Sequence, residues 1–433
     1  MAKKFLRLAL GTFLILALSG AAVAGTKASL EGEYRIRSFH KNNLTLCEDN
    51  DEEDNSSYYD HRFRLQTQFM PNNQLSVNLR AQAIENNVWG TQASGIKFQR
   101  PDGVMAKEEI SSIQLYRAYM TIITPFGRFD VGRMGGGAFG LYTGGYGDGV
   151  AGNDRNVMDS VAPFDRVRYT YADGPFALVL VYEKNVETDY RLLDYDADDD
   201  RYYAQPILNF QKGMANCLLG YVRDRTAQGA PDIDKFVISP ALQLAFGPLN
   251  LAAEFQYQTG TAKMDAVLGA ANKDVEGLGY YLEANYSYGH GLVGAFYAYF
   301  QGDDDLNDNT IKGAVTSGED FTPLLVAYDV ELANMGLNDT NNHWVLSLWM
   351  DYNLTEDLIL HAAYGYISMN EVPEGWDKEY GQEVDFSLRW GIMDNMIFTA
   401  NFGYFMPGKF HEMGEAKDLG NAYAWRNELK IKF

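Results

Sequence analysis

Apolar and polar residues alternate with a period of two along most of the chain. From Tyr423 to Phe433, five of the six odd positions are apolar or aromatic and four of the five even positions are charged. Successive side chains of a β-strand point to opposite faces, so this stretch predicts a strand with one apolar and one charged face. The same alternation recurs in residues 62–69, 75–82, 249–258 and 383–390.

Two further stretches are apolar on both faces, namely Phe176–Tyr182 and Leu292–Phe300. A strand of this kind has no face suited to water. Two interpretations stay open: the strand contacts a neighbouring subunit, or a loop folded inside the protein covers its inner face.

The connections between the predicted strands alternate between short and long. Short connections rich in Gly, Pro, Asn and Asp lie near 71–73, 125–127, 173–175, 211–215, 247–248, 289–291, 355–357 and 394–395. Long connections lie near 40–57, 86–111, 134–165, 185–200, 225–234, 261–276, 302–341, 370–381 and 408–421. Eight short and nine long connections join 18 strands, with 16 strands as the alternative.

This rhythm is typical of transmembrane antiparallel β-barrels with short periplasmic turns and long extracellular loops. Strands in lipid must close into a barrel, because every backbone polar group must be paired internally. The sequence therefore predicts an all-β chain whose residues 25–433 form one transmembrane barrel domain.

The N-terminus predicts a secretory signal peptide over residues 1–24. Basic residues precede an apolar run from Leu8 to Leu18, and Ala22-Val23-Ala24 provides a small-residue cleavage site. The apolar run is shorter than the roughly 20 residues that a membrane-spanning helix needs.

Composition excludes several classes of function. The 433 residues carry a formal net charge of −22, which argues against a nucleic-acid partner. A mean hydropathy of −0.29 excludes a polytopic helical membrane protein, and two cysteines exclude a disulfide scaffold. The chain has no HExxH, CxxCH, GxSxG or phosphate-loop motif, so we expect no enzyme activity, no cofactor and no metal site.

The arginines are unevenly distributed, since only Arg389 and Arg426 of the 19 lie beyond position 225. Most of those on the first six predicted strands share the polar face, which predicts a basic ladder along one wall of a pore. An alternative is that they merely solvate the lumen or pair with Glu31 and Glu33. The predicted ladder consists of Arg35, Arg37, Arg62, Arg64, Arg80, Arg117, Arg128, Arg133, Arg166 and Arg168. Arg133 is separated from Phe129 and Val131 by even numbers of residues, so regular alternation places it on their apolar face. It faces inward only if a bulge lies at Gly132.

Three segments and the terminal residue carry a family resemblance. Residues 115–133 resemble the hairpin before the constriction loop of Gram-negative outer-membrane porins, and the terminal Phe433 resembles their signal to the barrel-assembly machinery. Residues 62–69 and 87–90 are similar to the homotrimeric porins of sulfate-reducing bacteria. The resemblance implies a homotrimer in the Gram-negative outer membrane, in contact with its lipid and lipopolysaccharide.

The resemblance also implies a constriction loop at 134–165, which carries Asp148, Asp154 and Asp159. Folded into the barrel, these acids would oppose the basic ladder and create a transverse field that favours polar solutes. The alternative is a glycine-rich loop on the outer surface.

Three acidic runs, at 48–54, 194–200 and 303–308, fall in predicted long loops. We expect a solvated, repulsive rim; the alternative is divalent-cation binding that bridges to lipopolysaccharide. Residues 194–198 alternate Asp as a calcium loop does, but Asp199 and Gln205 stand where such a loop needs Gly and Glu.

Together these features predict a porin for the passive diffusion of small hydrophilic solutes and ions. One alternative is a channel selective for carbohydrates or organic acids, in which inward Tyr119 and Trp349 offer a stacking track for sugars; the other interpretation of these two residues is that they belong to the aromatic girdle. Another is a structural or adhesive barrel with a closed lumen.

Overall fold

The computed structural model of the chain describes most of the residues after position 25. These residues are 26–46, 55–89, 113–135, 163–187, 198–225, 232–263, 271–305, 307–313, 321–329, 332–333, 335, 337, 341–415 and 418–433. The predicted signal peptide, the acidic run 48–54 and the three acids Asp148, Asp154 and Asp159 lie outside the described residues.

Eighteen long strands and one short strand make up the described structure. The long strands are β1 (Lys27–Asn42), β2 (Ser56–Asn72), β3 (Leu75–Val88), β4 (Ile113–Thr124), β5 (Gly127–Gly135), β6 (Pro163–Asp173), β7 (Phe176–Val186), β8 (Asp199–Phe210), β9 (Gly213–Asp224), β10 (Asp232–Phe246), β11 (Leu249–Lys263), β12 (Lys273–Tyr288), β13 (Gly291–Phe300), β15 (His343–Asn353), β16 (Leu358–Met369), β17 (Glu379–Met393), β18 (Met396–Pro407) and β19 (Ala422–Lys432). The short strand β14 (Thr310–Lys312) pairs in parallel with β12.

Each long strand pairs antiparallel with its neighbours in the chain, and β1 pairs with β19 to close the sheet into a barrel. The prediction of 18 strands is thus confirmed, and the alternative of 16 is wrong. All eight predicted short connections join consecutive strands at one end of the barrel, here called the turn end. The nine long connections lie at the other end, here called the loop end. Among the described residues, no helix is long and apolar enough to cross a membrane.

The alternation of side chains divides the wall into an apolar outer face and an inner face that is mostly polar. On β17, Phe386 points outward and is 54% exposed, whereas its neighbour Asp385 points inward and is 2% exposed. Outward apolar side chains with such exposure suit hydrocarbon surroundings rather than water.

The loop between β13 and β15 turns into the barrel. Its residues Phe321–Asp329, here called the inner segment, pack against the inner face of the wall, and Val326, Ala327 and Tyr328 are fully buried. Their neighbours in one apolar cluster come from β13, β15, β16, β18, β19 and β1, namely Phe296, Phe300, Val345, Ile367, Phe405, Ala424 and Phe39.

The inner segment explains why Leu292–Phe300 is apolar on both faces. The inward rings of Phe296 and Phe300 lie 6.3 and 5.3 Å from the ring of Phe321, so the loop covers this inner face. The interpretation of a loop folded inside is therefore confirmed for this strand. On the other such stretch, inward Val179 and Val181 form a smaller cluster with Ile207 and Leu218.

The seam of the barrel involves the terminal residue. The backbone N–H of Gly32 donates to the carbonyl of Phe433 at 2.6 Å, and the N–H of Phe433 donates back at 3.0 Å. A Cβ on Gly32 would overlap the Phe433 ring, so only glycine lets this ring lie against β1.

Candidate functional site

Nine of the ten predicted arginines lie on the inner face of β1–β6. They are Arg35 and Arg37 on β1, Arg62 and Arg64 on β2, Arg80 on β3, Arg117 on β4, Arg128 on β5, and Arg166 and Arg168 on β6. The alternation places them there because each shares its parity with other polar inward residues. They form a band across six neighbouring strands, here called the arginine wall.

Within this wall the arginines are tied to carboxylates. Arg37 donates from Nε and Nη2 to the two oxygens of Asp60, at 2.9 and 2.6 Å. Arg62 donates to Glu33 at 2.5 Å, which is one of the pairings considered from the sequence. Such bidentate and charge-assisted bonds are strong and fix the guanidinium planes.

A second group centres on Asp130, which is fully buried on β5. Arg128 and Arg168 contact its two oxygens at 2.9 and 3.0 Å, and Thr121 Oγ1 donates to it at 2.6 Å. Two guanidinium groups thus share one carboxylate, which leaves a local excess of positive charge. Arg166 pairs with Glu183 of β7.

The arginine wall is therefore cationic on balance. Among the described side chains of β1–β6, four carboxylates share the inner face with the nine arginines: Glu31, Glu33, Asp60 and Asp130. Five of the arginines are buried, namely Arg35, Arg37, Arg62, Arg64 and Arg166. Arg80, Arg117, Arg128 and Arg168 keep exposed surface, and the side chain of Arg128 is 47% exposed.

Arg133 lies elsewhere. The register of β5 with both β4 and β6 is continuous, so no bulge at Gly132 turns Arg133 inward. It shares the outer face with Phe129 and Val131 and contacts Asp165 at 3.2 Å. The inward placement expected for Arg133 is corrected accordingly.

Two inward glutamates that sequence reasoning did not single out lie across the barrel. Glu254 on β11 and Glu283 on β12 are buried, and they are nine strands away from β2 and β3 in a barrel of 18. Glu254 accepts from Ser239 at 2.9 Å and from Gln256 at 3.1 Å, and Glu283 accepts from Tyr281 at 3.2 Å. The alternation of 249–258 puts Glu254 on the polar face, but the chain has too many acids for it to stand out.

The inner segment is anchored through its backbone. Glu383 on β17 accepts the backbone N–H groups of Val326 and Ala327, at 2.5 and 2.9 Å, and Asp385 accepts that of Leu325 at 3.0 Å. Asp329, at the end of the segment, pairs with Arg426 of β19 at 2.9 Å. Two buried carboxylates thus hold three consecutive backbone amides against the wall, and one ion pair holds the end of the segment.

The described end of one acidic run, Asp198–Asp200, differs from the expected solvated rim. Asp198, Asp199 and Asp200 are buried, and the last two belong to β8. Asp199 pairs with Arg201 at 2.7 Å, and Lys184 contacts both Asp198 and Asp200. The buried ion pairs correct the expectation of a solvated loop for this end of the run.

The run at 303–308 is exposed and folds around Lys312. The hydrogen bond between Lys312 and Asp304 raises the pKa of the lysine and lowers that of the carboxyl. Among the described residues, no three His, Cys, Asp or Glu side chains are arranged to hold a metal ion.

The two aromatic residues considered as stacking positions, Tyr119 and Trp349, both lie on the inner face. Phe433 lies at the seam, on the outer face near Phe63.

Comparison with protein families gives one result for most of the chain. Residues 11–371 match the model of the Gram-negative porin family. A comparison with curated proteins finds no match.

Solved structures with the same architecture include three porins from two bacteria. OccK9 (OpdG) of Pseudomonas aeruginosa superposes with a TM-score of 0.59 at 14% identity, covering 94% of this chain and 98% of that one. OccAB2 of Acinetobacter baumannii gives 0.58 at 11% identity, covering 94% and 98%. OccK11 (OpdR) of P. aeruginosa gives 0.56 at 12%, covering 94% and 96%. At these identities the likeness shows the fold alone.

Proposed function

The chain belongs to the Gram-negative porin family and is an outer-membrane channel for small solutes, and from this premise we propose where and how solutes pass. The pathway is the part of the lumen left between the arginine wall and the inner segment. It admits small hydrophilic solutes and ions by passive diffusion.

The observation that carries this proposal is the attachment of the inner segment. Glu383 and Asp385 bind three consecutive backbone amides, so the segment is fixed to the wall and narrows the lumen on one side only. Arg128 is exposed and Arg80, Arg117 and Arg168 are half-buried; all four lie on other strands and face the free lumen.

The charges across the lumen support a transverse field. The arginine wall has more guanidinium groups than carboxylates, and Glu254 and Glu283 lie nine strands away. Fixed charges of opposite sign in a narrow, low-dielectric passage orient polar solutes and disfavour apolar ones. The acids Asp148, Asp154 and Asp159 of the loop 134–165 would add to this field, and their place at the constriction remains a proposal.

A preference for small organic acids is the second candidate, and the four arginines that keep solvent-accessible surface favour it. A carboxylate can move from one guanidinium to the next and form charge-assisted hydrogen bonds with each. Neither candidate assigns a catalytic role to any residue of the chain.

Single-channel recording of the purified protein in planar bilayers tests the open pathway. We expect stable ohmic steps and a higher conductance in chloride than in a large organic anion of equal charge. A folded, heat-modifiable protein that gives no conductance would overturn the proposal and favour an adhesive barrel with a closed lumen.

We also propose that the barrel assembles as a homotrimer through the outer face of β19, β1 and β2. This face carries polar side chains between the strand ends: Asn427 donates to Ser38 Oγ at 3.0 Å, and Tyr34 contacts His61 Nδ1 at 3.2 Å. Polar groups facing lipid are unfavourable, whereas a protein neighbour can satisfy them. The outer face of β15, by contrast, is formed by Trp344, Leu346, Leu348, Met350 and Tyr352.

A photo-crosslinking residue separates the two faces. Placed at His61 it should join two copies of the chain in native membranes, and placed at Leu346 it should not. A monomeric mass in mild detergent, or cross-links from Leu346 instead, would refute this interface.

Phe433 is proposed as the signal for the barrel-assembly machinery. Its ring fits against Gly32 and its backbone bonds to that residue, so the same side chain also belongs to the seam. Phe433→Asp should lower the amount of folded barrel in the outer membrane, measured by heat modifiability. Phe126→Asp is the matched control, because this exposed aromatic residue lies in a short turn; equal amounts of both variants would count against the signal.

Two further proposals concern the flanks of the barrel. Residues 1–24 are removed as a signal peptide, which N-terminal sequencing of the mature protein tests. Arg223 and Lys263 lie at the loop end of the outer face, and Arg225 beside them contacts Asp232 and Asp234; lipopolysaccharide phosphates would compete with these acids for the basic groups. Loss of co-purifying lipopolysaccharide after their neutralisation would support that contact, and unchanged lipid content would not.

A further inference from the structure

The turn end of the lumen contains an aromatic site that the transverse field does not use. Trp349 and Asp351 are inward residues of β15, and His361 is an inward residue of β16. All three lie within a few residues of the short turn that joins these strands, on the turn side of the inner segment.

Trp349 lies flat on the wall. A Cβ on Gly294 of β13 would overlap atoms Cζ2 and Cε2 of the indole, so one face of the ring rests on the backbone of β13. The side chain is inward and half-buried, and it also packs against the apolar cluster of the inner segment, so part of the indole is left facing the lumen. Gly294 thus allows a fixed aromatic platform that any larger residue would displace.

His361 extends this platform. Its ring is nearly parallel to the indole, with an interplanar angle of 26° and a centroid separation of 6.5 Å. Its Nδ1 lies 2.6 Å from Oδ1 of Asp351, which fixes the orientation of the imidazole and leaves Nε2 on the far side of the ring.

Polar groups border the other edge of the indole. In the register of the sheet, Asn285 of β12 is opposite Gly294, and Gly294 is opposite Trp349. Asn285 donates to Glu283 at 3.3 Å, and Asn250 donates to Asn285 at 3.0 Å. A carboxylate and two amides therefore lie on one side of the platform, and an imidazole with its carboxylate lies on the other.

We propose that this platform is a binding subsite for the pyranose ring of a neutral sugar. Such a ring has an apolar C–H face that packs on an aromatic surface and a rim of hydroxyls that both donate and accept hydrogen bonds. Carboxylates, amides and imidazole match that rim. Glu283 and Asp351 disfavour anions here, so the subsite differs in preference from the arginine wall.

This subsite rests on the open lumen proposed above, and the experiment distinguishes failure of the subsite from failure of the open lumen. Ion current through single channels in planar bilayers is recorded while D-glucose is added to the turn side. We expect saturable current interruptions with glucose and few or none with glucitol, its open-chain alditol, because only the ring has a flat apolar face. Trp349→Ala should raise the half-blocking glucose concentration roughly ten-fold. Trp349→Phe should give a value between those of the wild type and Trp349→Ala.

Trp390→Ala is the matched control, since Trp390 lies near the turn end of β17 but faces outward and is 47% exposed. It should leave the glucose effect unchanged. Should Trp349→Ala fail to fold, Asn285→Leu removes hydroxyl partners while keeping the platform and should also weaken the block. Open channels that show no glucose effect, equal effects of glucose and glucitol, or an unchanged effect in Trp349→Ala and Asn285→Leu would overturn the subsite alone. Absence of any conductance would instead overturn the proposed pathway.

Discussion

The arginine wall of β1–β6 and the covered wall of β13–β19 are built in different ways. On the first, side chains from neighbouring strands pair with each other, as Arg37 does with Asp60. On the second, the wall binds another part of the chain, and Glu383 accepts backbone amides of the inner segment. On the first wall the partly exposed arginines can still contact solutes, whereas the two buried carboxylates on the second bind the backbone of the inner segment. An inward charge is therefore not by itself a pore-lining charge.

Removing the inner segment should change single-channel conductance more than any other variant, because it uncovers the second wall. Gly313 lies against the side chain of Asn341, so residues 314–340 can be replaced by a short Gly-Ser linker. Without the segment both halves of the wall face water, and conductance should rise roughly two-fold or more. Single-channel recording measures it, and heat modifiability checks the fold. An unchanged conductance in the folded variant would mean that the segment does not narrow the pathway.

Removing the hydrogen bonds that anchor the inner segment should also raise conductance, but by less than removing the segment. Glu383→Ala together with Asp385→Ala leaves three buried backbone N–H groups without acceptors, at about 1–3 kcal/mol each. We expect noisier channels with a raised mean conductance. Glu374→Ala, at an exposed loop position, serves as the control. Quiet channels of wild-type size in the double variant would show that packing alone holds the segment.

Neutralising exposed arginines should alter ion selectivity more than pore size. Changing Arg80, Arg117 and Arg168 to Gln should shift reversal potentials toward cations, changing the permeability ratio roughly two-fold. Changing Arg62, Arg64 and Arg80 should do less, because the first two are buried. Glu254→Gln with Glu283→Gln should shift selectivity in the opposite direction. Reversal potentials at low and high salt report this, since screening removes rim effects first. Equal shifts for both arginine triples would contradict the distinction between buried and exposed guanidinium groups.

The smallest expected effect is a pH-dependent loss of local stability around a histidine beside the covered wall. His411, in the loop between β18 and β19, packs on the rings of Tyr380, Phe405 and Phe410, and burial lowers its pKa from 6.5 to about 4. The neutral form is favoured in the folded loop, so its contribution to stability is present above pH 6.5 and is lost as pH falls toward 4. Protection of the Met413 amide, which donates to Phe410, should therefore decrease over this range in hydrogen exchange. His411→Phe should abolish the change, and a pH-independent protection in the wild type would refute it.

The strands and turns could be predicted from the sequence because a wet inner face and an apolar outer face impose a period of two. The prediction is weakest where the inner face is dry, as on Leu292–Phe300, since both faces then look alike. The inner segment has no periodicity of its own, and its anchors are backbone amides that no sequence pattern marks.

The candidate site was partly predictable for a similar reason. Parity alone places nine arginines inward and Arg133 outward, but it cannot tell buried guanidinium groups from exposed ones. That distinction depends on partners from other strands, such as Glu33 for Arg62. Glu254 and Glu283 can be recognised as lying opposite the arginine wall only when the order of strands in the closed barrel is known.

The seam between β1 and β19 has a consequence for the order of folding. Ser38 and Asn427 bond across 389 positions of sequence, whereas every other pair of neighbouring long strands is joined by one connection. Closing so long a loop carries the largest entropy loss of any strand pairing, and contacts of this range form slowly. We expect an open, growing sheet to precede the ring, with its two free edges exposed to foreign strands until they meet. Those edges must therefore be shielded from other strands during the interval.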